Sequence, residues 1–564
     1  MDGPAVTMAQ HTPLPPGTVH LLNYEDATES LTFVLSPTPS SDPNDPLNWS
    51  KWRKYLNYSL AMGVTVAAFT KYVKVTSVFQ SICCPSRNNS LADDLIAFLH
   101  SLSIQTVFWQ QMTVDLDVSI NQLSNAQSAQ LAGLATGCIF FIPFTIKYGR
   151  RLTYLVSTAI LAAAAWWTSS MHSYAELIAT AVITGLAGAI NETAVQMTIA
   201  DIFFVHQRGS ANGLYFTAVM AGSFLTPLAA GSQAVTQGWR WSYYALSISL
   251  TVLFFMFVFL YEETKYVPIS LGESELTDDN SPNGENDMAK VKSLDKGGLE
   301  LNYMRSNPAT NVRMNSYRER MRLLTPTSES LLRVFILPLH VITLPHVMFT
   351  ALQFASGVCW LVLFMSVVSV VFSAPPYNFN TAAIGYMNLG PFIGNIFGSI
   401  YGGPLADWTV LRLAKRNGGV FEPEMRLYPL FLPVITMAGG IVMFGVTADR
   451  GMHWIFPSIG GALFAFGLGA NGDITFTFVI DTYRELTAEA FVGVAFVRNA
   501  VSVGVPSALV PWMSNMGLTN MYILSGVISL LIGLLYVPMI IWGKRIRTIL
   551  APRYLRLVER RMQI

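Results

Sequence analysis

In the stretch GAINETAVQ, Gly188 to Gln196, a single glutamate stands inside an apolar run that extends from about Tyr174 to Phe204. Asn191 precedes Glu192, and Gln196 shares its helix face by i, i+4 spacing. A charged side chain at the centre of a bilayer costs about 2.5–3.5 kcal/mol on insertion scales, so such groups face a cavity or a partner. A carboxyl in that setting can take a proton on one side and release it on the other. The plainer alternative is a structural glutamate, permanently protonated or hydrogen-bonded. A second acid, Asp473, stands in GLGANGDITFTF beside Asn471 and behind Gly467, Gly469 and Gly472, which suit a packing bend equally well. Arg498 and Asn499 lie deep in another apolar segment, where Arg498 suits pairing with an acid across a bundle better than meeting an anionic ligand. Trp360, Phe354, Tyr386 and Asn388 are candidate cavity-lining residues, although aromatic residues in spans more often serve packing. Asp201, Asp481, Glu485 and Glu489 sit at span ends beside Arg208 and Arg484, which suits interfacial pairing or gating.

These residues need apolar elements to hold them. The chain has 564 residues, is 52% hydrophobic and only 12% charged, about half the charge of an average soluble domain. Its mean hydropathy is +0.42. Twelve segments meet the requirement of about 20 mostly apolar residues for a membrane helix. Six lie near 56–74, 128–146, 152–170, 176–204, 211–235 and 242–261; six more lie near 341–372, 383–405, 428–447, 453–480, 490–512 and 518–542. The expected organisation is a tail over 1–55, a six-helix bundle over 56–261, a linker over 262–340, a second bundle over 341–542 and a tail over 543–564. LTDDNSPNGENDMAKVKSLDKGG makes the linker read as disordered. Lys and Arg cluster on one side: Lys51, Arg53, Lys54, Lys147, Arg150, Arg151, Arg208, Arg412, Lys415, Arg416, Arg426, Arg484, Lys544, Arg545 and Arg547. The opposite short loops hold little beyond Arg87, Arg240 and Arg450, so both tails and the linker are expected in the cytoplasm.

Residues 75–107 fit this scheme badly. They lengthen the first outer loop, and Lys71 and Lys74 charge the end of the first span. Two readings stand: an outer loop with a short amphipathic helix, LADDLIAFLHSL, or translated intron. Asn88 lies there in an N-x-S glycosylation sequon. Net charge is +1, which gives no basic surface for nucleic acid. Cys83, Cys84, Cys138 and Cys359 make neither a disulfide framework nor zinc spacing. There is no signal-peptide pattern, G-x-S-x-G, Walker A or H-E-x-x-H, so neither enzyme chemistry, a cofactor nor a metal is expected.

Several motifs converge in order: SDPNDPLNWSKWRKY (41–55), KYGRR (147–151), GLYFTAVMAGSFLTPLAAG (213–231), GWRW (238–241), YEETKY (261–266), GGPLADW (402–408), PEMRLYP (423–429) and DTYRELTAEAFVGVAFVRN (481–499). Over about residues 41–545 the chain resembles the fungal branch of the major facilitator superfamily, and within it the twelve-span drug:proton antiporters close to the polyamine and cation carriers. The resemblance implies an all-α membrane protein of two six-helix bundles with a midplane cavity. Gly149, Arg150 and Arg151 match the family's G-x-x-x-D-x-x-G-R-R loop, with Ile142 and Ile146 in place of its first glycine and aspartate; the sister loop keeps Gly403 and Asp407. In the family this loop locks the halves by charge contacts. Gly213, Gly222, Pro227 and Gly231 match the antiporter pattern of the fifth span, with Thr226 and Ala230 replacing two glycines. The fourth and tenth spans, carrying Glu192 and Asp473, line the family's cavity. The implied function is proton-coupled export of a drug-like toxin or secondary metabolite across the plasma membrane by a monomer. Uptake of a polyamine or other organic cation, and a non-transporting sensor of the same fold, are the alternatives.

Overall fold

The computed structural model describes residues 15–20, 42–68, 104–203, 205–266, 314–325 and 331–562. Among these, eight helices are long and apolar enough to cross a membrane, Pro345–Ser373 being among the most apolar at 29 residues and a mean hydropathy reaching 2.3. With the long helices Tyr174–Ile202 and Val205–Gln237, the shorter Lys51–Ala68 and an eighth span in three pieces, they fall into the anticipated two sets of six. The first set is Lys51–Ala68, Ile120–Tyr148, Arg150–Ser169, Tyr174–Ile202, Val205–Gln237 and Trp239–Leu260. The second begins with Pro345–Ser373 and an eighth span made of Thr381–Tyr386, Leu389–Ile400 and Ala406–Arg416, and continues through Phe431–Asp449 and Ile455–Thr482. An eleventh span of Thr487–Ser502 and Gly504–Met516 and a twelfth of Leu518–Gly533 and Tyr536–Met562 complete it. The fold is all-α; strand β1 (Val19–His20) and strand β2 (Val420–Phe421) add one short antiparallel pair.

Local signals set the helix ends. Ser119 accepts from the Gln122 amide while the Gln122 side chain reaches back, a capping box that starts the second span. Ser173 caps the fourth span by accepting from the Glu176 amide. Gly149, at φ +111°, turns the chain between the second and third spans in a conformation that side chains rarely adopt.

Small residues decide which spans touch. Gly390, Gly394, Gly398 and Gly402 recur every four residues on the eighth span and press on Ser458, Ala462, Phe466 and Ala470 of the tenth. Each partner lies the same number of residues further on, so the two helices run parallel and in register. A Cβ on Gly390 would lie 2.7 Å from the Ser458 carbonyl oxygen, and one on Gly402 would lie 2.9 Å from the Asp473 Cβ. The first bundle repeats the device, with Gly133 and Gly137 of the second span against Val182 and Leu186 of the fourth. Apolar area gives helices no reason to associate inside lipid; close packing does. Gly398→Ala, whose Cβ would fall on the Phe466 carbonyl, is therefore expected to destabilise by about 1–3 kcal/mol. Gly403→Ala, with nothing within 4 Å, is the matched control. Thermal loss of the monodisperse peak in detergent gel filtration measures both.

Two expectations are revised. Composition predicts a disordered linker throughout 262–340, yet its described parts are folded. Thr325 donates to the Tyr148 carbonyl (2.9 Å), Tyr317 to that of Phe259 (2.6 Å), and Glu263 to that of Arg320 (3.3 Å). Leu331–Val341 is a helix lying against the second and eleventh spans. Average composition hid these short anchored pieces; the acidic, Asn-rich stretch itself lies outside the described residues. The sequence predicts an insert over 75–107, but Ile104–Val107 is helical and continues through buried Phe108 into Trp109–Asp115 inside the bundle. Residues 75–103, with Asn88, lie outside the described residues.

Candidate functional site

The bundles meet closely at the face opposite the basic loops. Ser507 hydrogen-bonds Ser128 (2.7 Å), Ser124 donates to the Pro506 carbonyl, and Ser369 donates to that of Thr106. Gly385 presses on the Pro227 carbonyl and Gly231 on that of Thr381, so the proline and glycine expected to mark a moving fifth span lie at the contact with the eighth. Gly222 is buried one turn earlier. Deeper in, Ser366 donates to Gln127 (3.0 Å), again between bundles.

The candidate residues separate into distinct places. Asn471 turns to the seventh span, donating to Gln353 (3.3 Å), while Asp473 lies on the seam with the eighth span beside Ser399 and Gly402. Asp473 is 7% exposed, and its Oδ2 has no hydrogen-bond partner of normal geometry. Asn388 is buried and donates back to the Ile384 and Gly385 carbonyls of its own span. Trp360 donates to Ser356 (2.9 Å). Arg498 bonds the side chain of Asn499 (2.8 and 2.9 Å) and stacks 5.0 Å from the Phe354 ring. Phe354 packs on Phe476, and Phe476 on Phe491. Glu192, Asn191 and Gln196 lie on the helical backbone of the fourth span, and their side chains lie outside those described. By backbone position, Glu192 is 10 residues before the end of the fourth span at Ile202, and Asp473 is 9 before the end of the tenth at Thr482. Two acids thus occupy matched depths on equivalent spans.

At the basic face each bundle carries its own charge cluster. Arg150 pairs with Asp201 (3.1 Å), joining the loop after the second span to the end of the fourth. The Arg150 and Arg151 amides donate to Glu263 (3.0 and 3.2 Å). Arg151 also donates to the carbonyls of Tyr261, Val258 and Met321. In the second bundle Arg426 pairs with Asp407 (2.7 Å) and with Asp481, joining the loop after the eighth span to the end of the tenth. The arrangement repeats the first bundle. Asp407 therefore closes a contact inside its own bundle. Sequence reasoning placed Asp201 and Asp481 as interfacial acids but missed their partners; it also passed over Ser399 and the buried pair Glu424–Arg547.

Residues 95–506 match the Major Facilitator Superfamily over their length. The chain belongs to that superfamily. Among similar facilitators, MFS-type transporter C1271.10c of Schizosaccharomyces pombe is 30% identical over 93% of this chain and 89% of its own. Protein HOL1 of Saccharomyces cerevisiae is 24% identical over 96% of each. MFS antiporter QDR3 of Candida albicans is 24% identical over 65% of each. The chain is accordingly a multi-pass facilitator-type transporter, and its glycine-locked helix pairs are the framework on which the site residues stand.

Proposed function

We propose that this facilitator is a proton-coupled carrier that exports an organic compound by alternating access, with its basic face and both tails in the cytoplasm of the cell and its spans in the plasma membrane. The observation that carries the reading is the pair of acids, Glu192 and Asp473, at matched depths on the fourth and tenth spans. Acids at membrane depth are the ordinary seats of proton relays, and facilitator bundles rock about a site near the midplane. Asp473, buried beside one hydroxyl, can carry a proton as the bundles move; Glu192 is assigned the main proton site. Arg150–Asp201 and Arg426–Asp481 hold the inner ends of their bundles as rigid bodies. The antiporter named among the relatives favours export. Uptake of an organic cation is the second reading, favoured because both deep titratable candidates are acids, which would attract positive cargo.

The test is flux in proteoliposomes under an imposed pH gradient, with rhodamine 6G and labelled spermidine as probes of the two readings. Gradient-driven movement of rhodamine supports export, spermidine entry supports uptake, and binding of either without flux would make the protein a sensor. Pro227→Ala is expected to lower flux per molecule severalfold with little loss of abundance. Proline gives no N–H to the helix, and its carbonyl rests on Gly385 where the bundles meet. Flux normalised to detergent-extracted protein checks this; a value equal to that of the parent would make the kink purely architectural.

A further inference from the structure

We infer that residues 69–103 are translated from an intervening sequence and are absent from the working transporter, in which Ala68 continues directly into Ile104 as one first span. The sixth span supplies the ruler. Asn57 accepts from the Glu262 amide (2.8 Å), Gly63 faces Leu253, the Phe108 ring lies 6.3 Å from that of Tyr243, and Asp115 accepts from Trp239 Nε1 (2.8 Å). The partners descend the sixth span in order as the first span climbs it. Residues 57–68 and 104–115 make 24 residues, and Trp239 to Glu262 is also 24. From Gly63 to Phe108, without 69–103, there are 11 residues, as there are from Tyr243 to Leu253. Antiparallel helices advance equally, at about 1.5 Å per residue, so the two fragments fill the length of one span with no step left over.

Along the fifth span the contacts of the two fragments also follow in order. Tyr58 donates to the Ala211 carbonyl near its start, and Gln111 to that of Ala234 near its end. The 35 intervening residues include Lys71, Lys74, Asp93 and Asp94, and the junction between the fragments falls inside a span, where charge is costly. The second fragment also bears contacts to the other bundle, Thr106 with Ser369 and Gln111 with Thr381 (3.4 Å). A helix continuous with Lys51–Ala68 holds those contacts rigidly. Thirty-five codons keep the reading frame, so retention yields a full chain. Asn88 then carries no glycan in the working protein.

Two measurements test this. Sequencing of complementary DNA across the junction is expected to show messages lacking these codons. Tagged chains with and without 69–103 are then compared by fluorescence gel filtration in detergent: the shortened chain is expected to give the larger monodisperse peak, several-fold above the full one. A deletion of 67–103, which turns the outer half by about 200° relative to the inner, is expected to lose that peak. Messages that all read through the segment, a full chain better behaved than the shortened one, a 67–103 deletion as good as 69–103, or a glycosidase-sensitive glycan on Asn88 would each overturn the inference.

Discussion

Arg547→Ala is expected to cost the second bundle about 3–5 kcal/mol, the penalty for leaving one member of a buried ion pair alone. Arg547 is 0% exposed and Glu424 5%. The guanidinium grips the carboxylate at both oxygens, Nε to Oε1 at 2.8 Å and Nη2 to Oε2 at 2.6 Å. Its remaining nitrogen donates to Thr18 Oγ1 (3.2 Å) and to the Pro16 carbonyl, which fixes the segment leading into β1. Truncation therefore strands a carboxylate away from water and releases the strand pair Val19–His20 with Val420–Phe421. Lys544→Ala is the contrast. Its partnership with Glu422 is more than half exposed on the lysine side and is expected to be worth about 0–1 kcal/mol. Melting of both variants in detergent, followed by loss of the monodisperse peak, checks the pair. An Arg547→Ala protein as stable as the Lys544→Ala protein would mean that water reaches Glu424.

The pairing of Arg547 with Glu424 was not legible in the sequence, where the two stand 123 residues apart. The spans were legible, because about 20 apolar residues per crossing is a requirement of the bilayer rather than of any neighbour. The four-residue recurrence of Gly390, Gly394, Gly398 and Gly402 is also open to view in the sequence, but it is Gly403 and Asp407 that match a family pattern. Gly403 faces open space, whereas Gly402 beside it is pressed against Ala470 and Asp473. Asn471 and Asp473 show the same limit. Two residues apart on a helix they point in nearly opposite directions, so their shared appearance as one polar motif concealed that one meets the seventh span and the other the eighth. Charge told which face is basic, yet not that Arg150 and Arg426 find Asp201 and Asp481 at equivalent places in the two bundles. Such pairings are set by how helices pack, and a single chain read by composition does not contain that information in local form.

Glu192→Gln is expected to abolish pH-driven flux while leaving the protein folded. Glutamine keeps the length and hydrogen-bonding capacity of the side chain but cannot take up or release a proton. The backbone at 192 is helical and lies within the fourth span, whose neighbours Ala194 and Val195 are buried, and the second span is locked to this helix by Gly133 and Gly137. None of those contacts depends on a charge, so abundance is expected to hold, or to rise as the insertion cost of an acid disappears. The consequences for cargo differ by class. A cationic cargo loses an attractive charge, so its binding weakens along with its flux; a neutral cargo keeps its binding and loses only the coupling to the gradient. Flux of the moving probe against an imposed pH gradient, normalised to reconstituted protein and set beside equilibrium binding at fixed pH, separates these outcomes. Unchanged gradient-driven flux in the glutamine variant would make Glu192 a structural residue, and the proton site would then fall to Asp473 on the equivalent turn of the tenth span, where Asp473→Asn should show the loss instead.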